Sequence, residues 1–477
     1  MSGQLNSSNN FRRLWILGFA GHRSLPDPAA VETSIRLAIE NFRKQVDGEL
    51  MGRASAAAGA DVLFLKACRD AGLAYSVVLP FAEERFREDF ESETEWARTK
   101  ALIDGAASVE IAPGHEGAPE AYHLAAREIL DVADAMLFVW DGKPARGIGG
   151  TEETIADSRE RRVPHQIIRA EDGALGLMET VRPFPWAESR FASLPGGDDM
   201  EVVFKTLDQR AMQGAPKSRL LAAGSITLNQ IATLVSGILI AFVGHADAAP
   251  AVKFVIICVA AVLPWLGARR RIREVWVENR LHAELLRSVI ASHAFTAPLR
   301  PLAAELFQSD AAFLRSASWK LISRRQAWDV ERDLYLAERL NGQITYLRSK
   351  GNLAAKHYGR LQIVFKISSA GAMILGACAI FNAIFDWPVP RWFEVFFLVF
   401  LPTILPAVAA WSLSMIALFE TKRRAGLYLQ MADRLETKRA ELKGAKCLVT
   451  AAAAVSSCER LLLTELWEWS DSNGKRR

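Results

Sequence analysis

Five cysteines in 477 residues, at positions 68, 258, 378, 447 and 458, never approach one another as a CxxC pair, and no Cys/His cluster accompanies them. That spacing excludes a disulfide scaffold and a zinc-type centre. It reads as reduced, buried thiols with no metal site. No long basic run occurs and the formal net charge is only +4, so nucleic acid is not an expected partner. Residues 1–10 are polar, without the pattern of a secretory signal. What the chain has in quantity is apolar sequence. Half of its residues are hydrophobic while 23% are charged, a mixture that suggests a soluble part joined to a membrane part.

The soluble part is organised around residues 135–153. An apolar run of strand length, Met136 to Trp140, leads through Asp141 into the loop Gly147-Ile148-Gly149-Gly150, and Thr151, Glu152 and Glu153 open a helix-like stretch. Small residues let backbone N–H groups approach an anion, and a helix N-terminus adds partial positive charge, so this reads as a phosphate cradle. Further short apolar runs, at 14–19, 50–54, 75–79, 109–111 and 163–168, alternate with helical stretches, although Met51-Gly52-Arg53 is poor strand sequence. The alternation predicts a Rossmann-like α/β domain over residues 1–170, a parallel sheet with helices on both faces.

Ligands on such sheets sit beyond the carboxyl ends of the strands. The candidate ligand-binding residues are therefore Gly21, His22 and Arg23 after the first run, Ser55, Gly59 and Asp61 after the second, and Pro80 after the third. Asp141, Gly147, Gly149, Gly150, Thr151, Glu152 and Glu153 complete the set around the glycine loop. Arg23 suits a phosphate because a guanidinium matches it bidentately. Asp61 suits either a ribose hydroxyl or the helix start, and Glu152 and Glu153 either reach a ribose or serve the first helical turn. Phe81, Phe86 and Phe90 read as core in preference to a base-stacking platform.

Residues 171–216 read as a connector, with Pro183, Pro185, Pro195, Gly196-Gly197 and Gly214-Ala215-Pro216. Residues 220–243, 252–268, 364–385 and 393–419 are then each near the ~20 residues that span a bilayer. They form two hairpins, which divide an all-α membrane part into 217–362 and 363–477, each with long helices outside the bilayer. Arg269-Arg270-Arg271, Arg273, Lys217, Arg219, Arg360 and Lys422-Arg423-Arg424 flank the spans, while the turns carry little positive charge. This predicts a multi-pass protein with both termini and the long middle segment in the cytosol. Leu340, Ile344 and Leu347, and later Leu435, Leu442, Val449 and Leu463, recur at helical spacing that signals packing between helices or subunits.

On Trp140-Asp141-Gly142-Lys143-Pro144 followed by 147–153, supported by Gly21-His22-Arg23, Ala58-Gly59-Ala60-Asp61 and Leu79-Pro80-Phe81 with Phe86, Asp89 and Phe90, residues 14–169 resemble a SLOG domain. This is the nucleotide-binding Rossmannoid family that includes the LOG-like phosphoribohydrolases. The membrane half is similar to the SLATT class of two-transmembrane effectors in bacterial anti-phage conflict systems, on its architecture and on Trp276-Val277-Glu278-Asn279-Arg280 and Ala283-Glu284-Leu285-Leu286-Arg287. The resemblance implies an effector of the bacterial inner membrane. It would bind a nucleotide-derived second messenger, an ADP-ribose derivative or a cyclic oligonucleotide, with no cofactor. It would respond as a homo-oligomer by forming a pore in, or disrupting, the lipid bilayer on phage infection.

LOG-like hydrolases pair a PGGxGTxxE-like loop with an upstream arginine. Here Gly149, Gly150, Thr151 and Glu153 match, the leading proline is absent, and Arg127 is out of register and followed by Glu128. Sensing is therefore favoured over catalysis. The alternative is a membrane-anchored nucleotide N-glycosidase or phosphoribohydrolase with Glu153 or Asp141 as acid/base. A constitutive channel is disfavoured, because charges within the spans lie only near their ends.

Overall fold

The computed structural model describes residues 10–114, 118–144, 149–179, 191, 194–243, 247–385 and 387–472. Gly147, one of the candidate ligand residues, lies outside them. The chain divides into two compact units, one of Met1–Val203 with Thr296–Arg325 and one of Phe204–Phe295 with Gln326–Arg477.

The first unit contains strands β1 (Arg13–Gly21), β2 (Gly48–Ala54), β3 (Tyr75–Leu79), β4 (Ser108–Ile111), β5 (Ala135–Trp140) and β6 (His165–Arg169). They form one sheet of order β4-β3-β2-β1-β5-β6, with every pair parallel. Between them run helices α1 (Pro28–Gln45), α2 (Ala60–Asp70), α3 (Glu83–Arg87), α4 (Glu93–Asp104), α5 (Ala118–Leu130) and α6 (Thr151–Glu160). The Rossmann-like α/β domain expected from the alternating runs is present. Helix α1 shows the local logic. Asp27 caps it by accepting from the Ala30 N–H at 3.0 Å, Pro28 starts it, and Val31, Ile35, Ala38, Ile39 and Phe42 form its buried stripe.

The two faces of β1 are covered differently. Trp15, Leu17 and Phe19 join a core with α1 and α2 residues such as Ile35, Phe42 and Phe64. On the opposite face, Met136 and Phe138 of β5 pack with Ile129 of α5 and Ile155 of α6. β2 forms in spite of its Gly-Arg pair, for two reasons. A Cβ at Gly52 would stand 2.6 Å from the Cys68 sulfur, so the glycine admits α2. Arg53, fully buried, donates to Glu110 on β4 at 3.1 and 2.8 Å and to Ser76 on β3 at 3.1 Å, so its charge is neutralised inside the sheet.

The remaining surface of the sheet is covered by sequence from far downstream. Residues 296–325 carry α10 (Leu302–Leu306) and α11 (Ala311–Lys320), between α9 (Ile272–Ser292) and α12 (Trp328–Leu334), which belong to the second unit. Leu299 and Trp319 pack on Leu14, Ile16, Met51 and Val132. Ser316 accepts the Leu14 N–H at 2.9 Å, and Arg315 donates to the carbonyls of Asp131 and Val132. Lys320 pairs with Glu49 at 2.8 Å and with Asp198. The middle segment is therefore not one run of helices outside the membrane. Its centre is part of the α/β unit.

In the second unit, α7 (Met200–Ile238), which begins inside the expected connector, runs on through a π-helical turn to Val243, and α8 (Ala249–Arg269) returns. After α9, α12 and a π-helical stretch, α13 (Asn341–Phe385) enters the second hairpin. α14 (Arg391–Phe393), a second π-helical stretch and α15 (Leu401–Leu418) lead back, followed by α16 (Thr421–Lys443) and α17 (Leu448–Ser472). Among the described residues, four helices are long and apolar enough to cross a membrane, within Leu220–Val243, Ala249–Arg269, Trp328–Phe385 and Arg391–Lys443. The two halves repeat one scheme. A long helix continues into a span, a turn and a returning span follow, and a left-handed residue breaks the chain before the next helix. That residue is Arg271 in one half and Glu420 in the other.

The hairpins touch within the unit through Trp411, whose indole N–H donates to Thr227, and through Phe242 against Phe400. Outside the spans, Leu340, Ile344, Leu347, Leu435 and Leu442 meet in one core. Val449 is 76% exposed and stands apart from it. Of the five cysteines only Cys68 and Cys458 are buried. Cys258 and Cys378 lie on the outer surface of spans and Cys447 in an exposed turn, so apolar surroundings in the sequence mark lipid-facing positions as well as core.

Candidate functional site

β1 continues to β2 on one side, whereas its other neighbour, β5, continues to β6 away from it. The crevice beyond the ends of β1 and β5 is therefore the topological switch point at which doubly wound sheets hold ligands. A cavity of about 850 Å³ opens there. Among the described residues, Gly21, His22, Arg23, Ser55 and Asp61 line it from the β1 and β2 ends, and Asp141, Gly149, Gly150, Thr151 and Glu152 line it from the β5 side. Three described candidates do not line it: Gly59, Pro80 and Glu153.

Gly59 acts one layer behind. With φ at +91°, a Cβ there would stand 2.1 Å from the Arg23 carbonyl oxygen, and Ala60 N–H donates to the His22 carbonyl at 3.1 Å. The glycine lets the β1 and β2 loops close on each other. Pro80 is buried at the end of β3. Glu153 turns back on its own loop. Its carboxylate accepts the Gly149 N–H at 2.7 Å and meets His123 at 3.3 Å. Gly149 has φ +84° and no room for a Cβ, which would sit 2.6 Å from the Pro119 carbonyl oxygen. One N–H expected to face an anion is thus already taken. Gly150 caps α6 without a side chain, and Thr151 and Glu152 open the helix. The first N–H groups of a helix have no partner within it, and Gly150, Thr151 and Glu152 all line the crevice.

The side chains divide by partner. His22 Nε2 and Asp141 Oδ1 are 3.0 Å apart across the switch point. Asp141 also accepts the Lys143 N–H at 3.0 Å. That bond, with His22, holds its carboxyl below the usual carboxylate range. Arg23 lies with its guanidinium 4.5 Å from the Tyr122 ring centre, and Tyr122 donates to Asp89 at 2.6 Å. Burial, then the bond to Asp89, push the Tyr122 hydroxyl well up. Tyr122, Asp89, Trp140 and Lys143 all line the cavity and were not among the candidates. The Trp-Asp-Gly-Lys-Pro stretch held two of them, whereas nothing local marks Tyr122 as reaching a strand end from α5. Phe86 is fully buried beside Phe90 and Trp96, a core position as read.

Two polar atoms on the floor have no partner. Ser55 Oγ and Asp61 Oδ1 are buried without a hydrogen bond. Burial drives the Asp61 carboxyl up to about 7, against the opposing pull of N–H bonds from Ala57 and Gly21 and of the Arg23 charge. Unpaired buried groups cost about 1–3 kcal/mol each, so a cavity floor that carries two is built to receive hydrogen bonds from something else. Hydroxyls fit it. The α6 N-terminus and Lys143 on the β5 side, with Arg23 from the β1 end, fit an anion. Neither Asp141, committed to His22 and Lys143, nor Glu153, outside the cavity, is placed as a general acid. Among the described residues no group of His, Cys, Asp or Glu could hold a metal ion. No family model and no curated protein matches the chain.

Proposed function

We propose that the α/β unit is a sensor for a phosphate- and ribose-bearing nucleotide signal and that the spanning helices are its effector. The observation that carries this reading is the pairing, within one cavity, of a hydroxyl-seeking floor (Ser55, Asp61) with an anion-seeking wall (Gly150, Thr151, Arg23) on a chain with four candidate spans. Ligand binding shifts the packing of the helical unit only to the extent that the ligand prefers one state of it. The SLOG and SLATT resemblances narrow the proposal to an ADP-ribose derivative or a cyclic oligonucleotide as ligand. They also narrow the response to membrane permeation by an oligomer in anti-phage defence, with the termini in the cytosol of a bacterial cell.

The test is full-length protein in dye-loaded liposomes, challenged with ADP-ribose and cyclic oligonucleotides. Binding measured by calorimetry and dye release should appear together. Arg23→Lys, which keeps charge but loses the planar fork over Tyr122, should weaken binding about ten-fold. Absence of binding by every nucleotide sinks the sensor reading. Release of free base from nucleoside monophosphates would instead favour the hydrolase, with Asp61 as the acid that the geometry offers.

A further inference from the structure

A second and larger cavity, about 1120 Å³, lies wholly inside the helical unit. It is framed by α7, α9, α13, α15, α16 and α17. Along α13 its lining runs from Gln343 to Leu361 on one helical face, a length of about 27 Å at the rise of an α-helix. It therefore reaches from the helices outside the spans to the first turn before the third span.

Its chemistry changes along that length. Near the spans, Arg360 on α13 and Arg424 on α16 line it, with Lys350 about 15 Å farther out along α13, and none of the three forms an ion pair among the described residues. Farther out, Arg280 faces Glu284 at 3.6 Å, and burial raises the carboxyl of Glu465. The carboxylates of the lining thus lie beside cations or are held up by burial, while Arg360 and Arg424 stand at the membrane end without an ion pair among the described residues. Directly beside those cations, α15 presents Trp411, Met415 and Phe419 at four-residue spacing, a continuous apolar wall that belongs to the fourth span. A water-soluble phosphate needs the cations and gains nothing from this wall. A molecule with an anionic head and a hydrocarbon tail uses both, as basic pockets between membrane helices do.

We infer that this cavity holds a phosphate-headed lipid, its headgroup on Arg360 and Arg424 and an acyl chain along Trp411, Met415 and Phe419. The lipid fills a void that α13, α15 and α16, packed on one another elsewhere, leave between them and α7, α9 and α17, so the bilayer supplies part of the unit's interior. Removing it should loosen the contact between the second hairpin and the helices that follow.

Full-length protein is stripped of lipid in an uncharged detergent and titrated with phosphatidylglycerol or phosphatidylcholine, and bound lipids are counted by native mass spectrometry. Phosphatidylglycerol should be retained at one per chain, about ten-fold more tightly than phosphatidylcholine. Arg360→Gln with Arg424→Gln should abolish that preference. Arg360→Lys with Arg424→Lys should retain it, which separates lost charge from lost fold. Arg270→Gln with Arg273→Gln, basic positions after the second span and outside the cavity, should leave it unchanged. Equal retention of the two lipids, equal loss in both glutamine pairs, or displacement of the lipid by millimolar inorganic phosphate would each overturn the assignment.

Discussion

At Asp61, burial works against the ionised state of a carboxyl that lines the α/β cavity. Its carboxyl is raised from 3.8 to about 7 because desolvation outweighs the two N–H bonds and the Arg23 charge. A raised carboxyl favours the folded state while protonated. That contribution is fully present below about pH 4 and is lost as pH rises through about 7. Wild-type protein should therefore be less stable at pH 8 than at pH 5, and melt lower, by a free-energy difference on the order of 2–4 kcal/mol, and Asp61→Asn should remove most of that difference. Thermal unfolding at the two pH values checks it. If the wild type and Asp61→Asn lose the same stability between them, the buried carboxyl is not the source. A ligand hydroxyl that donates to Asp61 would hold the ionised form, so ligand should raise the melting temperature more at pH 8 than at pH 5. Glu153 shows the complementary lesson. An acid in a first helical turn serves a ligand or its own loop equally well, and only the Gly149 N–H at 2.7 Å decides for the loop.

Elements differ in how far the sequence exposes them. Most of the strands were legible because each is a short apolar run closed by glycine, proline or charge, whereas β2, interrupted by Gly52-Arg53, depends on partners distant in sequence, and the spans were legible because of their length. The partner of a helix is not written in its own sequence. Residues 296–325 carry an apolar pattern that suits any covering surface. That their surface is β1 and β2 follows from Leu14 and Ile16 needing cover on the face that α1 and α2 leave open. Trp319→Ala should thus destabilise the α/β unit by about 3–5 kcal/mol, the usual cost of removing a buried tryptophan, read as exchange of the β1 amides. Unchanged protection of β1 would refute the docking.

Helix α17 is held by a different device. Arg339 donates to Glu459 at 2.9 and 3.0 Å, and Tyr335 donates to the same carboxylate at 2.9 Å, all three buried. Glu459→Gln leaves a buried cation without its counter-charge and should cost about 3–5 kcal/mol. Replacing the set together (Tyr335→Phe, Arg339→Met, Glu459→Leu) should recover most of that loss in chemical denaturation. A triple variant as unstable as the single one would show that the charge pair itself, not its imbalance, supports the helix.

At the scale of the whole molecule, the chain passes between its units at 203/204, 295/296 and 325/326. A fragment of residues 1–203 contains every strand but lacks Leu299, Ser316 and Trp319. It should associate or bind hydrophobic dye, whereas the same fragment joined to residues 296–325 through a flexible linker should be monomeric with dispersed amide resonances. Equal behaviour of the two would make the insertion dispensable.

The same threading sets an order of events during synthesis. Proteins emerge from the ribosome N-terminus first, and domains fold as their sequence becomes complete. All six strands appear before residue 170, yet the helices that cover β1 and β2 appear only after both spans of the first hairpin have been made. The nascent sheet therefore waits with Leu14, Ile16 and Met51 uncovered until both candidate spans of the first hairpin have been made. A chain cut short before residue 296 is left with an unfinished α/β unit, open to chaperones and proteases, so the N-terminal unit is completed only once the chain has been made past its first hairpin.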